Sequence, residues 1–95
     1  MIKVVAKNYI KEDKIEEAVE HIKELVEITV KEEGCIKYEL YQDEKNKSIL
    51  TMIEEWESKE ALDKHMSSEH FKSIVPIIGS FAEKAGETNL YKKLI

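Results

Sequence analysis

The chain is poor in the residues that mark several common protein classes. It has no arginine, one cysteine, one proline and three glycines among 95 residues. The single cysteine, Cys35, cannot form an intramolecular disulfide. The first residues, beginning Met1-Ile2-Lys3, also lack the charged and apolar regions of a signal peptide, so a cytoplasmic location is expected.

Charge and hydropathy exclude two kinds of partner. The formal net charge is −5 and the lysines are scattered among glutamates, so there is no basic stripe for nucleic acid or anionic lipid. No apolar run approaches the roughly 20 residues that span a bilayer. We therefore expect neither nucleic acid nor a membrane as a partner.

Length and composition predict one domain, residues 1–95, with 42% hydrophobic residues. A core of this size is thin, and folding at this length often depends on burial against a partner. A homodimer is therefore expected.

Hydrophobic periodicity predicts the order strand, helix, strand, strand, helix pair, strand. The predicted strands span residues 2–9, 35–43, 48–56 and 87–95. Asp13 is placed as the N-cap of the first helix, and Gly34 as its left-handed end. Ser58 is a good N-cap for the helix after the hairpin, and Pro76 is expected to break or kink the helix that follows.

This order predicts an α+β fold, ferredoxin-like βαββαβ, with a four-stranded antiparallel sheet and a split second helix. In the third strand both alternating sets contain apolar residues, Ile49 and Ile53 on one face and Leu50, Met52 and Trp56 on the other. Helices cover only one face of such a sheet. A second copy of the chain would cover the other.

Four short segments follow one another between Glu32 and Phe71. They are EEGC and YEL around Cys35 and Tyr38, EEWES around Trp56, and ALDKHMSSEHF at residues 61–71. In this order and spacing they resemble the antibiotic biosynthesis monooxygenase family of small, cofactor-independent quinol and polyketide monooxygenases. The resemblance implies a dimeric α+β barrel and the oxidation of a small aromatic quinol or polyphenol by dioxygen.

Haem-degrading members of the same superfamily have an Asn near the end of the first strand, a Trp at the position of His65 and a haem-ligating His at the position of Val75. Asn8 is present here, but the other two are replaced, which disfavours haem degradation. The chain also has no GxGxxG, Walker loop, CxxC or His-rich ligand set. We expect no cofactor and no metal.

His65 is the predicted catalytic base, because an imidazole with a pKa near ~6.5 accepts a phenolic proton at neutral pH. Asn8 is the predicted hydrogen-bond donor to the developing anion. The walls of the substrate cavity are predicted to come from Trp56, Tyr38, Met52 and Phe71.

Structural interpretations of the same residues stay open at this point. His65 lies three positions after Leu62 and would then only flank the apolar face of its helix. His70 is five residues after His65, not the four of a one-turn ligand pair, and is expected to cap or flank the last helix. Cys35 is expected to be a buried structural thiol. Glu54 and Glu55 fall on opposite faces of one strand, and the sequence does not assign either to the core.

Three classes of function fit these observations. The first is the cofactor-independent monooxygenase described above. The second is an isomerase or similar proton-transfer enzyme acting on a small carbonyl compound. The third is a dimer that binds a hydrophobic molecule without turnover. The lack of arginine favours a quinol over a phosphorylated substrate, although lysines are available.

The absence of cofactor motifs makes a spectroscopic prediction. The purified protein should show no absorption above the aromatic band, because neither flavin nor haem is expected to bind. A visible spectrum recorded after gel filtration checks this. A stoichiometric chromophore that co-elutes with the protein would contradict it, and a Soret band would point to haem despite Val75.

Overall fold

The computed structural model describes residues 1–95, and its elements follow the predicted order. The strands are β1 (Ile2–Ile10), β2 (Cys35–Gln42), β3 (Ile49–Trp56) and β4 (Ala82–Lys92), and the helices are α1 (Ile15–Thr29), α2 (Lys59–Met66) and α3 (Glu69–Ser80). A short 3-10 helix, Glu12–Lys14, precedes α1. The predicted α+β, ferredoxin-like fold with a split second helix is confirmed.

The sheet has the order β2-β3-β1-β4, and all neighbouring strands are antiparallel. Strict alternation along β3 divides its side chains between the two faces. The buried set, on the face that the helices cover, consists of Leu50, Met52, Glu54 and Trp56. Across the strands, Asn8 pairs with Leu50 and Tyr38 with Glu54, so these side chains share that face.

Helix α1 buries one stripe against the sheet and against α3. Its buried residues, Ala18, Ile22, Leu25 and Thr29, recur every three or four positions. Ile22 is 2% exposed, and burying a large aliphatic side chain stabilises the fold by about 1.5–3 kcal/mol. This stripe therefore forms one wall of the core.

The start of α1 differs from the prediction. Asp13 is not the N-cap: it lies in the 3-10 helix, and Lys14 occupies the cap position without a side-chain hydrogen bond. The Lys14 amide is bonded to the Lys11 carbonyl at 2.9 Å, so the 3-10 turn already satisfies one amide at this end. Glu16 and Glu17 still place negative charge in the first turn, where the helix dipole favours it.

Gly34 does not end α1, because the helix stops at Thr29. Gly34 has a φ of 87° and leads into β2. A Cβ at this position would lie 2.5 Å from the Cβ of Ala61. The glycine is needed for a left-handed backbone at a point where α2 packs closely against the chain.

Two further predictions need correction near the C-terminus. Of the two effects expected of Pro76, the break does not occur, since α3 runs from Glu69 to Ser80 with the proline inside it. Proline removes one helical amide donor and crowds the carbonyl four residues earlier. The helix nevertheless has a capped start at Ser68, whose hydroxyl accepts a hydrogen bond from the Phe71 amide at 3.3 Å. Strand β4 begins at Ala82, not at residue 87. The prediction missed its first residues because they show little apolar alternation.

The helix-free face of the sheet carries half-buried Val5, Ile49 and Ile53, with Val5 and Ile53 directly opposite each other on β1 and β3. Exposed Tyr41 and Tyr91 extend this face on the two edge strands. None of the helices has the length and apolarity needed to cross a bilayer.

A charge in the middle of this face tests the expected homodimer. Ile53→Lys should convert a dimer into a folded monomer, because Ile53 faces away from the helices and a buried lysine at an interface is costly. Analytical ultracentrifugation at micromolar concentration measures the state. Ile28→Lys, the same change at an exposed position of α1, is the control. A wild-type protein that sediments as a monomer would contradict the expectation.

Candidate active site

A cavity of about 290 Å³ lies between the sheet and the helices. Twelve of its 17 lining residues are hydrophobic. The side chains that bring hydrogen-bonding groups to its wall are those of Asn8, Tyr38, Glu54, His65 and Thr88. An apolar cavity with a few convergent polar groups is typical of a small-molecule site.

His65 reaches the cavity from α2 and is 1% exposed. Its Nδ1 lies 2.7 Å from Oε2 of Glu32, while its Nε2 is buried without any hydrogen-bond partner. Burial lowers the pKa of the imidazole below its usual value, and the hydrogen bond to Glu32 opposes this shift. The neutral form of the ring is therefore favoured, and one nitrogen of this cavity-lining side chain, Nε2, has no hydrogen-bond partner.

Local sequence explains why His65 lies there. Ser58 caps α2 by accepting a hydrogen bond from the Ala61 amide at 3.1 Å. The helix that starts at this cap then turns Leu62 and His65, three positions apart, onto its buried face. The structural interpretation of His65 is thus partly correct, because the residue is in the core, but it also lines the cavity.

Trp56 does not line the cavity, and the prediction that it forms a wall is wrong. As the last residue of β3 it is fully buried, and its ring packs against His65 with centroids 4.7 Å apart. Its Nε1 donates a hydrogen bond of 3.0 Å to Oε1 of Glu54. Trp56 therefore supports two cavity residues from behind.

Glu54 is a buried carboxyl in the cavity wall, 6% exposed and without a lysine partner. Burial raises its pKa to about 7, although the hydrogen bond from Trp56 favours the charged form. The sequence does not assign this residue to the site. The available signal is its position two residues before Trp56, which puts both on one face of β3.

Asn8 lines the cavity as predicted, but it is not the donor that the sequence suggested. Its side-chain nitrogen lies 3.3 Å from the carbonyls of both Ala6 and Leu50. Both N–H groups are thus engaged with the backbone. The donors that remain for an anion are the Thr88 hydroxyl, the Tyr38 phenol, whose pKa burial raises far above its usual value, and the protonated form of Glu54.

The other predicted wall residues, Tyr38, Met52 and Phe71, all line the cavity. Tyr38 and Phe71 also pack edge-on against the His65 ring, with centroids 5.2 and 5.1 Å away. Five of the six predicted site residues thus meet at one cavity. Val75 lines it too, so the position that ligates iron in haem-degrading relatives carries a valine here.

Glu32, His65 and His70 are the residues with the chemistry to hold a metal ion, and their ligand atoms lie within 4.8 Å of one another. Oε2 of Glu32 is 2.7 Å from His65 Nδ1 and 2.8 Å from His70 Nε2. Ligand atoms around a tetrahedral zinc ion are about 3.3 Å apart. Both contacts of Glu32 with the histidines are shorter than that and have the length of hydrogen bonds.

His70 therefore does more than flank α3, and Glu32 is a site residue that sequence reasoning did not single out. Glu32 lies in the EEGC segment and both histidines in the ALDKHMSSEHF segment, so the motif spacing held the only available signal. Cys35 is half-buried and burial raises its pKa to about 11, which fits a structural thiol.

Comparison with known proteins gives the family. The model of the family "Antibiotic biosynthesis monooxygenase" matches residues 1–76. The chain belongs to this family. A crystal structure of an antibiotic biosynthesis monooxygenase superposes with a TM-score of 0.96 at 36% identity, with full coverage of both chains. The resemblance inferred from the four segments is thus confirmed at the level of the family.

Other proteins similar to this chain add less about activity. A crystal structure of a conserved protein from Methanosarcina mazei is 47% identical, with a TM-score of 0.96 over 98% of this chain and 92% of that one. Uncharacterized protein sll1783 of Synechocystis sp. is 33% identical over 90 residues, or 94% of this chain and 61% of the relative. The chain spans about three fifths of that relative's length.

The buried Glu54 carboxyl makes a prediction about stability and pH. Its pKa is about 7 in the folded protein and near 4.5 as a free group, so the unfolded chain loses its proton first. Wild-type stability should therefore fall as pH rises from about 4.5 to 7. Glu54→Gln removes this loss. The free energy of unfolding of Glu54→Gln minus that of wild type should therefore be larger at pH 8 than at pH 5, by up to about 3 kcal/mol.

Urea unfolding at the two pH values and one protein concentration measures the effect. Glu55→Gln, on the opposite face of β3 and paired with Lys3 at 3.5 Å, is the matched control and should show no such difference. Equal effects of Glu54→Gln at both pH values would show that Glu54 titrates normally.

Proposed function

We propose that this protein is a cofactor-independent monooxygenase that oxidises a small aromatic quinol or polyphenol with dioxygen. The observation that supports this most directly is Nε2 of His65, a buried and unpartnered nitrogen in the wall of an apolar cavity. A neutral imidazole placed in this way is a base for a phenolic proton. The membership of the chain in a family of monooxygenases supports the same reaction class.

The reaction balances without any added reductant, because the substrate supplies the electrons. His65 Nε2 takes a phenolic proton, and the resulting anion is electron-rich enough to pass one electron to dioxygen. Recombination forms a carbon–oxygen bond, and loss of water leaves a hydroxyquinone. In this scheme one quinol and one dioxygen give one oxidised quinone and one water. The proton on His65 returns to the departing oxygen.

The remaining residues suit the anion that forms. The cavity is lined mainly by hydrophobic side chains, which keeps water away from the radical pair. Tyr38 stays protonated and supplies a phenolic donor for the developing charge. The short ring contacts around His65 hold the imidazole in one orientation.

One observation favours a second candidate, a proton-transfer enzyme such as an isomerase. Glu54 titrates at about pH 7 and shares the cavity with His65. Two groups of this kind can remove a proton from one carbon of a carbonyl compound and return it to another. This reaction needs no oxygen, so anaerobic turnover distinguishes it from the monooxygenase.

Replacement of the proposed base tests the function. His65→Ala should lower oxygen consumption with a hydroquinone or anthrol substrate by roughly 10²-fold or more, because no other unpartnered nitrogen is available in the cavity. His65→Gln keeps much of the size but cannot titrate, and it should be similarly slow. The wild-type rate should fall when the pH drops below the lowered pKa of His65, since only the neutral ring accepts a proton.

The matched control is His21→Gln. His21 packs against Phe81 with ring centroids 5.9 Å apart and does not line the cavity, so its loss should leave the rate unchanged. Oxygen consumption by His65→Ala at the wild-type rate would rule out His65 as the base. A wild-type protein that consumes no oxygen with any quinol would favour the isomerase or a binding role.

A further inference from the structure

Three separate parts of the chain meet at one carboxylate oxygen next to the cavity. Glu32 comes from the turn between α1 and β2, His65 from α2 and His70 from the first turn of α3. Oε2 of Glu32 is 2.7 Å from Nδ1 of His65 and 2.8 Å from Nε2 of His70. The side chain of His65 is 1% exposed, whereas those of Glu32 and His70 are 17% exposed. The group therefore connects the buried imidazole with the protein surface.

Each of these short contacts needs a proton on the nitrogen, because a carboxylate oxygen only accepts. His65 in its neutral form must then carry its proton on Nδ1, which leaves the lone pair on Nε2, the nitrogen without a partner. His70 must carry a proton on Nε2. Ser68 contributes to this arrangement, since its hydroxyl donates to the His65 carbonyl at 2.6 Å and lies 3.2 Å from His70 Nε2.

The charges do not balance when both histidines are protonated. Glu32 offers one negative charge, and its ion-pair partners are the two histidines alone. The two imidazole rings are 6.0 Å apart. A proton on either ring therefore makes a proton on the other less favourable.

Other ionisable groups near the two rings are few. Tyr38 and Cys35 on β2 are both neutral at physiological pH, because burial raises the pKa of each. Glu54 on β3 titrates at about pH 7 and is the one further group whose charge changes in this range. The two histidines and two carboxylates are thus the charges to account for.

We propose that Glu32 and His70 are positioning residues for His65. Glu32 fixes the tautomer in which Nε2 is free and supplies the counter-charge when Nε2 takes a proton. His70 lies nearer the surface and shares the same carboxylate. When His70 is charged, Glu32 therefore stabilises a protonated His65 less. The effect on turnover rests on the function proposed above, but the tautomer and the coupled titration are properties of the protein alone.

Nitrogen-15 NMR of the histidine rings tests this without any substrate. In the wild-type protein His65 should appear as the Nδ1–H tautomer, with a titration midpoint below that of a free imidazole. In Glu32→Gln the titration midpoint of His65 should drop by roughly 1–3 pH units, because the opposite charge is lost.

His70→Gln keeps an amide donor that can reach Glu32 but cannot become charged. The midpoint of His65 should then rise by up to about one unit, which is the repulsion expected between partly exposed charges about 6 Å apart. His21→Gln and Glu54→Gln are controls. The first should leave the His65 midpoint unchanged, and the second separates the contribution of Glu54.

Several results would overturn the proposal. One is an Nε2–H tautomer of His65 in the wild-type protein, which can be read even if a variant fails to fold. Another is a folded Glu32→Gln or His70→Gln protein with an unchanged His65 midpoint, which would make the residue merely structural. A third is one zinc ion that survives dialysis and is lost in Glu32→Gln, which would make the group a metal site.

The pH dependence of oxygen consumption separates this inference from the proposed function. If a quinol is oxidised, the acid limb of the rate profile should move in His70→Gln in the same direction as the NMR midpoint. If the NMR shifts occur and no quinol is oxidised, the positioning role stands and the monooxygenase function fails. If a quinol is oxidised and the midpoints do not move, the function stands and the positioning role fails.

Discussion

The site depends on one side chain that does not touch the cavity. The Trp56 indole packs its face against the His65 ring and donates its only N–H to Glu54. One rigid group thereby contacts both a buried imidazole and a buried carboxyl and restricts their orientation. Trp56 is fully buried as part of the central core, so both ionisable groups are fixed to the most rigid part of the protein.

Burial next to Trp56 shifts the pKa values of His65 and Glu54 in opposite directions. Desolvation disfavours the charged form of each, which lowers the pKa of His65 and raises that of Glu54 to about 7. Both shifts favour the uncharged form, so the cavity wall presents a neutral imidazole as a proton acceptor and a carboxyl whose proton is held up to about pH 7. The monooxygenase proposed above would need both the low-polarity interior and these proton-transfer groups.

The fold could be predicted from the sequence because its signals are local. Helical spacing in α1 and two-residue alternation in β3 specify which faces are buried, and the order of elements then leaves few topologies. Predictions failed where a local signal was weak or ambiguous. Asp13 has the chemistry of a cap but is taken up by a 3-10 turn, and the first residues of β4 lack apolar alternation.

The site was only partly predictable, for a tertiary reason. His65, Tyr38, Met52 and Phe71 were predicted with the help of the family resemblance, and they do line the cavity. The contact of Glu32 with both histidines joins residues 33 and 38 positions apart, and no periodicity within one element reports it. The two histidines are five residues apart, a spacing that does not bring them together on a single helix. Because the chain turns between α2 and α3, both can still reach the carboxylate of Glu32.

The arrangement of Glu32 and His65 depends on a glycine at position 34. Gly34 lies two residues from Glu32 and within van der Waals reach of α2, where even a methyl group would overlap Ala61. Any side chain there would push apart the turn that carries the carboxylate and the helix that carries the imidazole. A residue with no functional group of its own thus permits the close approach of the two segments that carry Glu32 and His65.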